Sequence, residues 1–326
     1  MTAELLRDVA ARALAWVDAR RDRFALPPEV VSPETDLNWT LKPLGELAQL
    51  TASIRRHTES GDPLHDGAGE LLEFAWRETG KGAMLVELFR LDPHATYPLE
   101  IYAAFSGAGF RSAVFEEFAD VVTRTRSWRL LEQDPNRRLG ILNAERRCGL
   151  PPHARTEDLL PATWLGGLPE PWTFERHSGY ALTHTVFHLA DWGAASHAVP
   201  GRVADYLHLW LPSWLDTCLD SEQWDLGCEL LAVGACLPTP YPAEHRAAAW
   251  GRIAAARAAD GSLREEGGAP AGAASGPGPG VDLSPDPDEA TAFAHRYHST
   301  LAAAFAAVLT AHRLGDRPPR TTGAAP

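Results

Sequence analysis

Polar side chains that could bind a metal or act as acids and bases interrupt three segments that are otherwise rich in apolar residues. They are His184, His188, Asp191, Asp225, Cys228, His295 and His298. Burying such a group costs on the order of a few kcal/mol unless it is paired, hydrogen-bonded or bound to a metal. We therefore expect His184, His188, Asp191, Asp225, Cys228 and His298 to converge in one cavity. Asn38, Lys42 and Glu100 are weaker cases in earlier segments.

The spacing of these residues suits metal binding. His184 and His188 are four residues apart, so both project from one face of a helix, and Asp191 follows three residues later. Thiolate, imidazole and carboxylate together suit zinc, and histidine with carboxylate also suits iron. The competing interpretation is structural: a His pair at this spacing arises by chance, and Cys228 can be a small buried hydrophobe. The predicted metal ligands are His188, Asp225, Cys228 and His298, and the predicted catalytic residues are His184, Asp191 and Glu100.

Helical periodicity dominates the elements that must position these residues. We find no convincing run of alternating strand residues, so the sequence predicts an all-α protein. The predicted helices cover 38–57, 66–79, 97–108, 112–127, 136–148, 178–195, 201–219, 222–237, 241–259 and 288–313, after a first helix near the N-terminus.

Helices that are apolar all round alternate with amphipathic ones in the second half of the chain. The apolar helices are 178–195, 222–237 and 288–313. A helix of that kind must be buried on all sides, whereas an amphipathic helix faces solvent. This alternation favours an α/α toroid, a ring of helical hairpins with inner and outer helices, and the runner-up is an α-solenoid. If the inner helices run the same way, their polar residues gather at one mouth of the ring.

The domain prediction is a single helical domain made of residues 1–266 and 288–314. Residues 267–287 read GGAPAGAASGPGPGVDLSPDP and hold almost no large apolar side chain, which predicts a flexible internal loop. We also expect a disordered tail at 315–326.

The amino-acid composition restricts the kinds of protein that this chain can be. Hydrophobic residues make up 45% and charged residues 22%, as in a globular protein with a sizeable core. A net charge of −13 argues against nucleic-acid binding. No run of apolar residues is long enough for a membrane span, and no signal-peptide pattern opens the chain. Four cysteines without a CxxC pair fit a reducing compartment, so we expect a cytoplasmic protein.

Two segments carry a resemblance to a known family. WDLGCELLAVGACL (224–237) and RYHSTLAAAFAAVL (296–309) resemble stretches of the β-subunit of protein prenyltransferases, and ADGSL (259–263) is similar to the turns between terpenoid-cyclase hairpins. The resemblance implies an α/α toroid with zinc held by Asp225, Cys228 and His298. The whole chain also resembles uncharacterised actinobacterial proteins, some of which are encoded near natural-product pathways.

Three functions follow as hypotheses. The first is a metal-dependent enzyme that acts on a small apolar or peptidic substrate in the toroid cavity. The second is a metal-free, glycan-active (α/α) barrel that pairs carboxylates such as Glu100, Asp191 or Asp225. The third is a binding or scaffold protein that keeps the ring without catalysis.

Overall fold

The computed structural model describes residues 3–32, 37–130, 132–239, 241–267 and 287–315. Its helices are α1 (Ala3–Asp18), α2 (Leu37–Arg56), α3 (Pro63–Glu78), α4 (Ala83–Leu91), α5 (Tyr97–Gly107), α6 (Ala113–Thr123), α7 (Arg126–Arg129), α8 (Pro135–Cys148), α9 (Thr156–Leu159), α10 (Arg176–Leu189), α11 (Gly201–Asp220), α12 (Trp224–Cys236), α13 (Ala243–Ala256), α14 (Pro287–Ala294) and α15 (Tyr297–Gly315). The described residues contain no β-strand, and one isolated bridge joins Gln223 to Glu266. The prediction of an all-α protein is confirmed.

The observed helices differ from the predicted ones in several places. The helix α4 was not predicted. The segment 112–127 forms two helices, and 288–313 is divided into α14 and α15 at His295 and Arg296. The predicted helix 178–195 ends at Leu189, because Asp191, Trp192 and Gly193 all have positive φ. That left-handed turn lets the Trp192 amide donate to the Phe187 carbonyl (2.8 Å) and closes the helix end.

Local sequence signals fix several helix ends. Asp62 caps α3 by accepting the Leu64 amide, and Pro63 occupies the first turn, where its missing N–H costs nothing. A capping box between Glu175 and Ser178 starts α10. Gly149, with φ of 70°, ends α8 in the left-handed conformation that glycine adopts without strain. These signals fix where α10 begins and where α8 ends.

Six helices pack in a closed cycle: α2 against α5, α5 against α8, α8 against α10, α10 against α12, α12 against α15, and α15 against α2. The remaining long helices lie outside it, with α1 against α15 and α3, α11 against α12, and α13 against α11 and α1. A toroid and a solenoid differ in whether the series of helices closes. The α/α toroid stays a prediction, and the packing of α15 against α2 is the observation that supports it.

The ends of four helices in this cycle show that they run in the same direction. Arg56, Gly107 and Arg147 lie at the C-terminal ends of α2, α5 and α8, and a Cβ on Gly107 would lie within 3.1 Å of both guanidinium groups. Asp191, just beyond the end of α10, forms an ion pair with Arg56. Because all four C-terminal ends meet, the N-terminal halves of these helices meet at the opposite end.

Burial separates the two kinds of helix. Every residue of α12 from Asp225 to Cys236 is buried, and so is nearly all of α15 from Tyr297 to Thr310. By contrast, α11 and α13 each bury one face. Across the described ranges, no helix combines the length and apolar character needed to cross a bilayer. The flexible loop predicted at 267–287 and the tail at 315–326 fall almost wholly on residues 268–286 and 316–326, which lie outside the described residues.

Candidate metal centre

Four side chains from three neighbouring helices form a largely buried group that we call the carboxylate–histidine cluster: Glu46 of α2, Asp225 and Glu229 of α12, and His298 of α15. His298 Nε2 lies 3.1 Å from Glu229 Oε1 and 3.5 Å from Asp225 Oδ1. The ligand atoms of Asp225, Glu229 and His298 all lie within 4.8 Å of one another. Two ligands bound to one tetrahedral ion at about 2.1 Å are roughly 3.4 Å apart, so these spacings suit a shared cation.

Each of the three potential ligands uses its other polar atom in a separate hydrogen bond. The Tyr180 hydroxyl donates to Asp225 Oδ2 (2.6 Å), and the Thr183 hydroxyl donates to Glu229 Oε2 (2.5 Å). His298 Nδ1 lies 2.9 Å from Glu46 Oε2. Asp225 Oδ1 is buried without a hydrogen-bond partner. The three remaining atoms lie around a common centre, where His298 Nε2 and Glu229 Oε1 hydrogen-bond to each other (3.1 Å), and the outer hydrogen bonds orient the side chains as they do for metal ligands.

The charges of the cluster depend on one another. Burial acts to lower the pKa of His298, but the negative charges of Asp225 and Glu46 raise it well above its usual value. Burial and the neighbouring Glu229 charge raise the pKa of Asp225 to about 6, against the opposing effect of His298. The pKa values of Glu229 and Glu46 are lowered: burial acts to raise them, and interactions with His298 outweigh it. At neutral pH an imidazolium thus holds together carboxylates that would otherwise repel one another.

A cavity of about 460 Å³ opens beside the cluster. All six helices of the closed cycle contribute to its wall, so it lies at the centre of the cycle. Glu46, Glu229 and His298 line it near one end, and Phe187, Trp192 and Phe305 supply aromatic wall.

His184 and His188 also line this cavity. The half-exposed His184 places Nε2 3.9 Å from Glu229 Oε1, at the edge of the cluster. His188 lies one turn further along α10, with its ring centroid 6.2 Å from that of His184. Burial, followed by the positive charges of His184, Arg137 and Arg147, lowers the pKa of His188 to about 3. The structure therefore brings His184 to the cluster and places the predicted ligand His188 beyond it.

Asp191 and Glu100 lie apart from the cluster. Asp191 is not on the helical face of His184, because α10 has already ended; its carboxylate pairs with Arg56 (2.8 Å) and accepts from Asn143 (3.1 Å). Glu100, on the cavity wall, pairs with Arg137 (2.9 Å). Both carboxylates are thus occupied by basic partners.

Cys228 is not part of the cluster, although it precedes Glu229 directly. Its thiol is buried, and burial together with the charges of Asp225 and Glu229 raises its pKa well above the usual value. The group of side chains whose ligand atoms lie close enough to share an ion does not include this thiol. The geometry supplies Asp225, Glu229 and His298 in place of the expected Asp225, Cys228 and His298.

The predicted set of site residues lacked Glu229 and Glu46. Glu229 stands inside the apolar stretch DLGCELLAVG, and a glutamate is almost never fully buried without a partner. It also follows Asp225 by four residues, which places both on one helical face. Those two signals were available in the sequence. Glu46 lies in an ordinary amphipathic helix and gave no comparable signal.

Together, the fold and the site define an all-helical protein with a buried carboxylate–histidine cluster beside a central cavity. A family model described as "Domain of unknown function (DUF6895)" matches residues 10–308. Because this match spans most of the chain, the protein belongs to the DUF6895 family. Comparison with curated proteins and with solved structures finds no match.

Proposed function

We propose that this protein is a metal-dependent enzyme in which Asp225, Glu229 and His298 hold a divalent cation. The observation that carries the proposal is the orientation of these three side chains. Each is fixed through one polar atom by Tyr180, Thr183 or Glu46, and each directs its other atom to the common centre. Zinc is the first candidate, and iron is the alternative for a nitrogen–oxygen ligand set.

The cavity is the place for a small-molecule or peptide substrate. A metal at the cluster would supply Lewis-acid polarisation of a substrate oxygen. We assign His184 the role of acid or base, because its imidazole is half-exposed next to Glu229 and lines the same cavity. Glu46 positions His298 through their hydrogen bond and does not itself face the common centre.

The experiment is a metal titration of the full-length protein, purified without a histidine tag and dialysed against a chelator. Zinc, and iron(II) under anaerobic conditions, are titrated by calorimetry, and bound metal is quantified by elemental analysis. We expect about one ion per chain for the wild type, and at least tenfold weaker binding for His298→Gln and Asp225→Asn. His184→Gln should retain the metal with little loss.

His312→Gln is the matched control, because His312 lies on the same helix fourteen residues further on and is exposed. It should bind metal like the wild type. A wild-type protein that binds neither ion, or a His298→Gln variant that binds as tightly as His312→Gln, would contradict the metal proposal.

A second candidate is a metal-free enzyme that uses Asp225 and Glu229 as an acid–base pair. The observation in its favour is that the pKa of Asp225 is raised while that of Glu229 is lowered, although both carboxylates contact His298. Groups whose pKa values are pushed apart suit separate acid and base roles. Glycoside hydrolysis by a chelator-treated protein, abolished by both Asp225→Asn and Glu229→Gln, would favour this candidate over the first.

A further inference from the structure

The end of the cavity away from the cluster carries an excess of positive charge. Arg56 and Arg147 both face Asp191, whose carboxylate lies 2.8 Å from Arg56 Nη1 and 3.7 Å from Arg147 Nε. Asn143, which also lines the cavity, donates to the same carboxylate. One carboxylate thus serves two guanidinium groups. Buried charge without a counter-charge is unfavourable, so this end of the cavity is suited to an anion.

Arg147 retains unused hydrogen-bonding capacity. Its side chain is only 6% exposed and lines the cavity. Nη1 donates to Gln49 Oε1 (2.6 Å), but Nε and Nη2 are buried without a hydrogen-bond partner. Burial lowers the pKa of Arg147 to about 10, which leaves the guanidinium charged at neutral pH. Nε, which lies 3.7 Å from Asp191 Oδ1 without a hydrogen bond, and Nη2 form one edge of the planar guanidinium, and such an edge matches the two oxygens of a carboxylate.

Gly107 leaves room for the guanidinium group. A Cβ at this position would lie 2.9 Å from Arg147 Nη2 and 3.2 Å from Nε. Any other residue would therefore press on the two N–H groups that lack partners. The missing side chain of Gly107 on α5 thus leaves space next to the guanidinium group of Arg147 on α8.

The wall between the two ends of the cavity is aromatic and apolar. Phe187 stacks on Trp192 at 5.0 Å between ring centroids, and Phe305 lies 5.8 Å from Trp192. Trp192 is held with a φ of 55°, directly after Asp191, so the ion pairs of Asp191 anchor the turn that carries this ring. Aromatic walls of this kind suit the apolar body of a ligand.

We propose that the cavity binds a small organic carboxylate, with its anionic group at Arg147 and its apolar body against Phe187, Trp192 and Phe305. The reverse orientation would bring the carboxylate to Glu46 and Glu229, which repel it. Gln49, which contacts Arg147, lies one turn beyond Glu46 on α2, an axial rise of about 5 Å. The ligand therefore presents its other end to the carboxylate–histidine cluster. This inference names the substrate class of the proposed function and rests on it for the chemistry, but not for the binding.

The test measures binding to full-length, chelator-treated protein, so that no metal contributes. Isovalerate, phenylacetate and hydrocinnamate are each compared with the corresponding amide by calorimetry at millimolar concentration. We expect at least one carboxylate to bind about tenfold or more tightly than its amide. Equal binding of acid and amide, or no binding of any carboxylate, would overturn the proposal without use of a variant.

Two variants test whether Arg147 causes the preference for a carboxylate over its amide. Arg147→Gln should remove it, so that acid and amide bind alike. Arg146→Gln is the matched control, because Arg146 is the adjacent residue on α8 and its exposed side chain bonds to Thr156 instead. A carboxylate preference that survives in Arg147→Gln would overturn the assignment. Since the assay contains no metal, its failure is distinguishable from failure of the metal titration.

Discussion

At the scale of single residues, burial among the packed helices changes the acid–base behaviour of His188. The His188 ring packs against Gly140, where a Cβ would lie 3.0 Å from Nε2, and its Nδ1 is buried without a partner. Glu100, whose carboxylate lies near the same glycine, is already paired with Arg137. Burial and three nearby cationic or titratable groups therefore keep the imidazole neutral, with a pKa of about 3.

This residue makes stability depend on pH. Between pH 6.5 and 3 the unfolded chain protonates His188 and the folded protein does not, so the free energy of unfolding falls as the pH falls. On lowering the pH from 7 to 5, we expect the metal-free wild type to lose about 1–2 kcal/mol more than His188→Gln does. Urea unfolding at the two pH values measures this difference.

The control for this prediction is His197→Gln, which changes an exposed histidine. Its loss of stability between the two pH values should match that of the wild type. Equal losses in the wild type and His188→Gln would show that His188 is not kept neutral by the fold.

At the scale of elements, one buried carboxylate joins α8 to the segments on both sides of it. Glu145 is 0% exposed and accepts from Trp128 Nε1 of α7 (2.8 Å). Its other oxygen accepts from the His153 amide (3.0 Å) and lies 2.9 Å from His153 Nδ1. The segments before and after α8 are thus fixed to the helix that supplies Asn143 and Arg147 to the cavity.

Loss of this carboxylate should therefore destabilise the protein strongly. Glu145→Ala leaves the Trp128 indole N–H and the His153 groups without an acceptor, and each buried orphan costs about 1–3 kcal/mol. We expect a loss of about 3 kcal/mol or more in the free energy of unfolding, measured with urea. Glu157→Ala, at an exposed position of α9, should change stability by no more than about 0.5 kcal/mol. A loss below about 1 kcal/mol for Glu145→Ala would contradict the assigned role.

At the scale of the whole molecule, α15 closes the cycle of helices. It packs against α1 and α2 from the start of the chain and against α12 from its later part. Leu301 of α15 is 0% exposed and belongs to the hydrophobic core. In a closed ring, weakening this helix destabilises all members together, whereas an open series transmits the loss mainly to neighbours.

Leu301→Ala should lower the free energy of unfolding by about 2–5 kcal/mol, because it leaves a cavity in the core. Hydrogen exchange followed by mass spectrometry measures protection helix by helix. We expect amides of α8, on the other side of the cycle, to lose as much protection free energy as those of α15. Leu314→Ala, at the half-buried end of α15, should have a smaller effect. Loss of protection confined to α15 and its direct neighbours would contradict closure.

The sequence alone determined the helical class and which helices are buried. Hydrophobic periodicity is a local property, so it predicted α12 and α15 as apolar helices with polar groups near their N-terminal ends. The same pattern picked out Asp225 and His298. It could not place Asp191, because the end of α10 depends on a left-handed turn whose residues are not glycine until Gly193. It also gave Cys228 as a ligand and did not include Glu229, although either spacing from Asp225 fits a helical face.

Only the tertiary structure decided which side chains share a centre. His298 and Glu46 are 252 residues apart, and they meet because the first long inner helix packs against the last. The common direction of the inner helices then places the carboxylate–histidine cluster near one end of the cavity and Arg147 near the other. These outcomes depend on packing between distant segments and on electrostatic pairing in a buried space. Neither produces a repeating pattern of residues in the sequence. The complete set of residues in the cluster and the positively charged end of the cavity are therefore visible only in the folded chain.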